Sequence, residues 1–168
     1  MKIIIYCQHV LGLGHFFRTL EIARAMETFD VILVTGGGRV EVRLPDHVRH
    51  VKLPGLMMDN NFTGLYSLDP KKSVEDVKLE RKKQLLYLVK SENPDFFLIE
   101  LYPFGRRAFK FELIPVLNFI KDNHRMNCKV VCSMRDILVE RKNKLKYESG
   151  VMPSTIGLMP CLSILIRN

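Results

Sequence analysis

The sequence lacks the features of several broad classes of protein. No apolar stretch reaches the roughly 18 residues that a membrane-spanning helix needs. Internal repeats and low-complexity segments are also missing, and the balance of apolar and charged residues is that of a globular chain. A strand pattern opens the sequence and leaves too few apolar positions before Gln8 for a secretory signal. We therefore expect one globular domain that is not exported by that route.

Cysteine is scarce, with 4 residues among 168 and no CxxC pair. Cys7, Cys128 and Cys132 fall at or near the ends of apolar runs, where cysteine commonly serves as a small buried hydrophobic residue. Nothing indicates a disulfide framework, so we expect a reducing, cytoplasmic compartment.

Acidic residues are outnumbered by basic ones, 18 against 26, for a formal net charge of +8. Such a surface favours anionic partners, for example nucleotide phosphates or acidic lipid head groups. A basic surface that serves only solubility is an equal alternative. Aromatic and basic residues do not interleave, which argues against a nucleic-acid partner.

Short β-branched apolar runs alternate with helical patterns along most of the chain. Strands are predicted at residues 2–7, 31–34, 48–54, 94–101 and 128–136. Helices are predicted from residue 15, from 74 with Ser73 as its cap, and from 106 with an interruption near Pro115. This alternation predicts a doubly wound, Rossmann-like α/β domain with a parallel sheet.

In a doubly wound sheet the ligand lies beyond the carboxyl ends of the strands, where the strand order reverses. The two loops expected there are residues 8–15 and 101–106. A dinucleotide fingerprint fails, because Phe17 stands where the third glycine after Gly12 and Gly14 is required. The second strand also ends in "VTGGG" without an acid, and no P-loop Gly-Lys-Ser/Thr occurs.

His15 stands at the predicted start of the first helix. The positive end of a helix dipole disfavours the imidazolium, and a neutral imidazole can act as a general base. Glu100 ends the fourth strand and could hold that ring in one tautomer. The alternative is structural: His15 caps the helix, and Glu100 pairs with Arg106 or Arg107.

The sequence resembles the N-terminal half of two-domain glycosyltransferases of the GT-B type. "GLGH", "RTLEIARAM" and "VILVTGGG" carry the general resemblance. "LPGLMMDNNFTG", "ELYPFGRRAFKFEL" and "CSMRDILVE" are similar to the bacterial predicted glycosyl transferases related to glycosyltransferase family 28. Together these segments cover residues 1–149.

The resemblance implies the acceptor-side domain of an enzyme that joins two Rossmann-like domains. The partner domain would hold most of the nucleotide-sugar, which is a co-substrate, and no resident cofactor or metal is expected. His15 would be the base on the acceptor hydroxyl, with Glu100 as its acidic partner. Substrate contacts are predicted for Gly12, Gly14, Arg106 and Arg135.

Residues 150–168 do not match the family, which predicts a truncated or frameshifted product that is inactive alone. The expected partners are a sugar or lipid-linked acceptor and a second Rossmann-like domain or subunit. A non-catalytic α/β binding module, or one subunit of a split glycosyltransferase, stays open as the alternative. The predicted loop 55–70 contains apolar side chains. One interpretation is that they contact the inner face of a membrane, and the alternative is that they cover a helix.

Overall fold

A computed structural model describes residues 1–10, 12–59 and 64–134, and the elements below belong to that part of the chain. Three α-helices occur, α1 (Gly14–Arg24), α2 (Val74–Glu92) and α3 (Lys110–Asp122), the last preceded by a short 3-10 helix. The strands are β1 (Lys2–Tyr6), β2 (Asp30–Thr35), β3 (Val48–Lys52), β4 (Leu56–Met58), β5 (Leu65–Ser67), β6 (Phe96–Glu100) and β7 (Lys129–Ser133).

Five of these strands form a parallel sheet in the order β3-β2-β1-β6-β7. From β1 the chain crosses through α1 to β2 and then to β3 on one side. It returns through α2 to β6 and then through α3 to β7 on the other side. The strand order therefore reverses between β1 and β6, and the predicted doubly wound α/β architecture is confirmed.

The central strands are buried on both faces, which explains why they are continuous apolar runs rather than alternating ones. Ile3 and Ile5 of β1 face α1 and pack in one cluster with Phe16 and Leu20. The alternate residues of β1 belong to a second cluster, which includes the apolar faces of α2 and α3. Helices thus cover both faces of the sheet.

Two local predictions need correction. The third helix is not interrupted at Pro115: α3 runs through it, because Leu113 and Val116 on either side are buried in the core and tertiary packing outweighs one lost backbone hydrogen bond. The predicted loop 55–70 contains the antiparallel hairpin β4–β5. Met58 and Leu65 of that hairpin pack against the core rather than into solvent.

The predicted cap of α2 is present, since the Ser73 hydroxyl accepts a hydrogen bond from the backbone N–H of Asp76. In the described part of the chain no helix is both long and apolar enough to cross a membrane. Arg135, residues 60–63 of the predicted loop and the segment 150–168 lie outside the described residues, and so do the predictions made for them.

Candidate functional site

The carboxyl edge of the sheet brings the two expected loops together at the reversal of strand order. One loop follows β1 and leads into α1, while the other follows β6 and leads into the 3-10 helix. β1 and β6 are hydrogen-bonded neighbours, with Tyr6 level with Ile99. The loops therefore flank one crevice, and α1 begins beside it with the positive end of its dipole.

His15 and Glu100 meet across this crevice. His15 is the second residue of α1, and its Nδ1 lies 2.6 Å from Oε1 of Glu100. The Glu100 side chain is 1% exposed, whereas the His15 side chain is 25% exposed. A carboxylate only accepts hydrogen bonds, so Nδ1 carries the proton and donates it. No described residue forms a hydrogen bond with Nε2 of His15, and the ring is solvent-accessible.

Arg106 is the second neighbour of Glu100. Its Nε lies 3.7 Å from the other carboxylate oxygen, Oε2, which is an ion-pair distance but too long for a hydrogen bond. Arg106 adopts a left-handed backbone conformation with φ 55°. The neighbouring Arg107 is exposed, as expected of a solvated helix start. The dyad and the pair with Arg106 therefore coexist, because Glu100 uses a different oxygen for each.

Four buried side-chain polar atoms of the described residues have no hydrogen-bond partner. All four lie at the carboxyl end of β6 or in the segments that follow β1 and β6: Gln8 Nε2, His9 Nδ1, Glu100 Oε2 and Arg106 Nε. Buried polar atoms in folded proteins are nearly always paired, by protein or by water. Their concentration at the reversal of strand order marks this crevice as the place where the fold alone does not satisfy its polar groups.

Gly12 and Gly14 lie in open space. A Cβ atom built on either would meet nothing within 4 Å, and neither has a positive φ. Neither internal packing nor backbone strain requires glycine at these positions. This is the arrangement expected of a loop that a ligand approaches closely, and the predicted substrate contacts of the two glycines remain predictions.

Arg18 fixes α1 to the end of β7. Its guanidinium donates to Oγ of Ser133 at 2.9 Å and to the carbonyl oxygen of Met134 at 2.7 Å. Met134 is the last described residue before Arg135. Arg18 thus ties the "CSMRD" segment to the helix that carries His15, a contact that the sequence patterns did not indicate.

His9 was also missed by the sequence analysis. Its Nε2 lies 3.0 Å from the carbonyl oxygen of Gly38, and its ring packs edge-on against Phe16 at 5.3 Å between ring centroids. Burial lowers the pKa of His9 below its ordinary value. The neutral ring therefore donates through Nε2. A Cβ atom at Gly37 would come within 2.1 Å of the His9 carbonyl oxygen, so this glycine is required by close packing.

Cys7 and Cys128 are not activated as nucleophiles. Burial raises the pKa of the Cys7 thiol to about 12, and burial has the same effect on Cys128. No group of three or more His, Cys, Asp or Glu side chains gathers as a metal site within the described ranges.

Comparisons with known proteins concern the architecture. No family model matches the chain, and no curated protein matches it. UGT2 of Phytolacca americana, solved with UDP-2-fluoro-glucose and pterostilbene, is 14% identical with a TM-score of 0.45, covering 79% of this chain and 30% of that one. A UDP-glucosyltransferase from Polygonum tinctorium is 12% identical with a TM-score of 0.49, covering 81% and 30%.

The C-terminal domain of the PF1911 hydrogenase from Pyrococcus furiosus is as similar as these transferases. It is 16% identical with a TM-score of 0.47, and the match covers 78% of this chain and 89% of that domain. In contrast to this domain, which the chain covers almost fully, the transferases are longer proteins, and the chain spans about 30% of their length. Likeness at this level does not assign an activity.

Proposed function

We propose that the chain is the acceptor-side domain of a nucleotide-sugar-dependent glycosyltransferase, with His15 as the base. The contact of 2.6 Å between His15 Nδ1 and Glu100 Oε1 carries this proposal. An acceptor hydroxyl becomes a better nucleophile as it loses its proton, and a neutral imidazole with an open Nε2 can take that proton. Glu100 orients the ring and stabilises the imidazolium that forms.

The proposed step is a direct transfer to the acceptor oxygen. As Nε2 of His15 takes the hydroxyl proton, an electron pair of that oxygen forms a bond to the anomeric carbon of the donor sugar. The bond from this carbon to the diphosphate oxygen breaks, and the nucleoside diphosphate leaves with its electron pair. The resemblance implies that a second domain holds most of this donor.

Two of the segments that carry the resemblance flank the crevice. "GLGH" supplies the loop and the first residues of α1, and "ELYPFGRR" begins at Glu100 and supplies the opposite loop. Two segments of the resemblance therefore provide the two halves of the dyad. A transferase of this type needs an acceptor hydroxyl at the dyad, and the open space at Gly12 and Gly14 lies next to it, in the adjoining loop and at the start of α1.

Titration of the purified chain with small hydroxyl-bearing probes tests the proposal. We expect p-nitrophenol, glucose or N-acetylglucosamine at millimolar concentration to shift the backbone amide signals of residues 12–16, 101–102 and 104–106. In the His15→Ala variant the p-nitrophenol shifts should weaken, whereas His124→Ala, an exposed site after α3, should leave them unchanged. Shifts confined to the amino edge of the sheet, or none with any probe, would overturn the proposal.

The same titration separates the alternatives. With UDP-glucose added, we expect no glycoside from the chain alone, since the donor side is proposed to lie elsewhere. Glycoside formation by the purified chain would contradict that part. Probe binding at the crevice that is identical in wild type and His15→Ala would instead favour a non-catalytic binding module.

A further inference from the structure

In the core, every N–H group of the Arg81 guanidinium donates a hydrogen bond. Arg81 of α2 is 0% exposed, and it faces the ring of Phe109 at 5.2 Å from the ring centroid. Its five N–H groups have five acceptors: Glu112 Oε2 (2.9 Å), Glu112 Oε1 (2.5 Å), Gln8 Oε1 (2.8 Å), Gly36 O (3.0 Å) and Pro54 O (2.8 Å). An arginine side chain has no further donor to offer.

Three of these acceptors belong to three different loops at the carboxyl edge. Gln8 follows β1, Gly36 directly follows β2, and Pro54 follows β3. These are neighbouring strands of the sheet, so Arg81 joins the loops on one half of the crevice wall. The Gly36 carbonyl oxygen also accepts from the backbone N–H of Leu56 at 2.9 Å, and the Val10 carbonyl accepts from that of Met58 at 3.2 Å.

The need to neutralise the buried charge of Arg81 does not explain its bonds to the three loops. Glu112 alone pairs with Arg81 through two bonds, and Tyr6 donates to the same carboxylate from a phenol whose pKa burial raises well above its usual value. A buried ion pair is weak evidence for stability, since well-packed apolar residues often replace it without loss. The three bonds from Arg81 to the loops are additional. At Gly36, a Cβ atom would lie 2.0 Å from Nη1, so the backbone there is fitted to the guanidinium.

We propose that Arg81 is a positioning residue, which holds the loops after β1, β2 and β3 in one arrangement and so sets the wall of the crevice that leads to His15. The statement that this wall faces an acceptor rests on the proposed function. The holding of the loops does not, because it follows from the five bonds of Arg81.

Amide hydrogen exchange tests the proposal without any ligand. In the double variant Arg81→Met with Glu112→Leu, both charges are removed and the core stays neutral. We expect the amides of Leu56 and Met58 to exchange about tenfold faster, while the amides of β1 and β2 keep their protection. The matched control is Arg49→Met with Glu92→Leu, an ion pair of 2.5 Å at the amino edge, which should leave all of these rates unchanged.

Arg81→Lys keeps the charge next to Glu112 but offers one compact donor group in place of the fork. It should accelerate exchange at Leu56 and Met58 in the same way, and it decides the question if the double variant does not fold. Unchanged exchange at both amides would overturn the proposal, and so would equal acceleration in the loops and the sheet. Probe titration of the wild type tests the proposed function separately, so the failure of one is distinguishable from failure of the other.

Discussion

The two edges of the parallel sheet differ in whether their polar groups are paired. At the amino edge, Lys2 donates from Nζ to Glu92 at 2.7 Å and from its backbone N–H to Asp95 at 2.7 Å, and Arg49 also pairs with Glu92. At the carboxyl edge, four buried polar atoms have no hydrogen-bond partner among the described residues, and two of them, Arg106 Nε and Glu100 Oε2, are linked only by an ion pair of 3.7 Å. An unpaired buried polar group costs about 1–3 kcal/mol. The polar groups of the amino edge are thus paired with one another and stabilise the fold. Those of the carboxyl edge, which line the crevice, include buried atoms without a hydrogen bond.

The largest difference between the edges should appear when one carboxylate is removed from each. Glu112→Leu leaves the Arg81 charge buried without its partner and should lower the free energy of unfolding by about 3–5 kcal/mol. Glu92→Leu removes half-exposed pairs and should cost about 1 kcal/mol or less. Urea denaturation measures both. Equal losses would show that the two edges do not differ in this respect.

A smaller difference is expected between two kinds of glycine at the carboxyl edge. Gly37→Ala forces a Cβ atom against the His9 carbonyl oxygen and should destabilise by about 1–3 kcal/mol. Gly12→Ala meets open space and should be neutral or stabilise by up to about 1 kcal/mol, through a less flexible unfolded chain. Thermal unfolding of the two variants measures this difference. A Gly12→Ala variant with the same melting temperature as Gly37→Ala would contradict the distinction between the two kinds of glycine.

The smallest expected effect is the response of the carboxyl edge to pH. His50 of β3 lies next to this edge, with its Nε2 at 2.8 Å from Oγ1 of Thr35, the last residue of β2. Burial, with nearby Lys52, lowers the pKa of His9 and of His50. The unfolded chain therefore takes up these protons first. The free energy of unfolding should be largest above the ordinary histidine pKa of about 6.5 and should fall as the pH drops below it. His9→Gln with His50→Gln should flatten this region of the stability curve, and the exposed His124→Gln should not.

The amino edge should respond in a lower pH range. Lys2 and Arg49 lower the pKa of Glu92 by hydrogen bonding, so its contribution is present above the ordinary glutamate value of 4.5 and is lost as the pH falls through the folded value. A stability curve with no change near pH 6.5, and a loss only at the lower range, would contradict the account of His9.

Much of the fold followed from local patterns, because apolar runs such as residues 2–6 are buried on both faces of the sheet and fix its parallel, helix-covered form. The meeting of His15 with Glu100 followed from the same topology, since α1, which carries His15, begins beyond the carboxyl end of β1, and Glu100 ends the neighbouring strand β6. The contacts of Arg81 did not, because they join segments far apart in sequence. A signal was nevertheless present: Arg81 interrupts the apolar spacing between Val77 and Leu85, where a charge must find a buried partner.

The hairpin β4–β5 and the unbroken α3 depended on tertiary packing that local propensity does not contain. Gly and Asn around residues 55–64 favour a loop, yet Met58 and Leu65 gain burial against the core. Pro115 favours a break, yet Leu113 and Val116 in the same helix are core residues. In both places burial of apolar surface outweighed the local preference.

The position of the proton on the His15 ring decides whether His15 and Glu100 form a dyad. In long-range ¹H–¹⁵N spectra at a pH where the ring is neutral, the account predicts that the proton resides on Nδ1 and that Nε2 is unprotonated, because the Glu100 carboxylate accepts from Nδ1. Glu100→Gln should disturb this preference, and Glu92→Gln should not. A ring protonated on Nε2 in the wild type would contradict the dyad, and with it the assignment of His15 as the base.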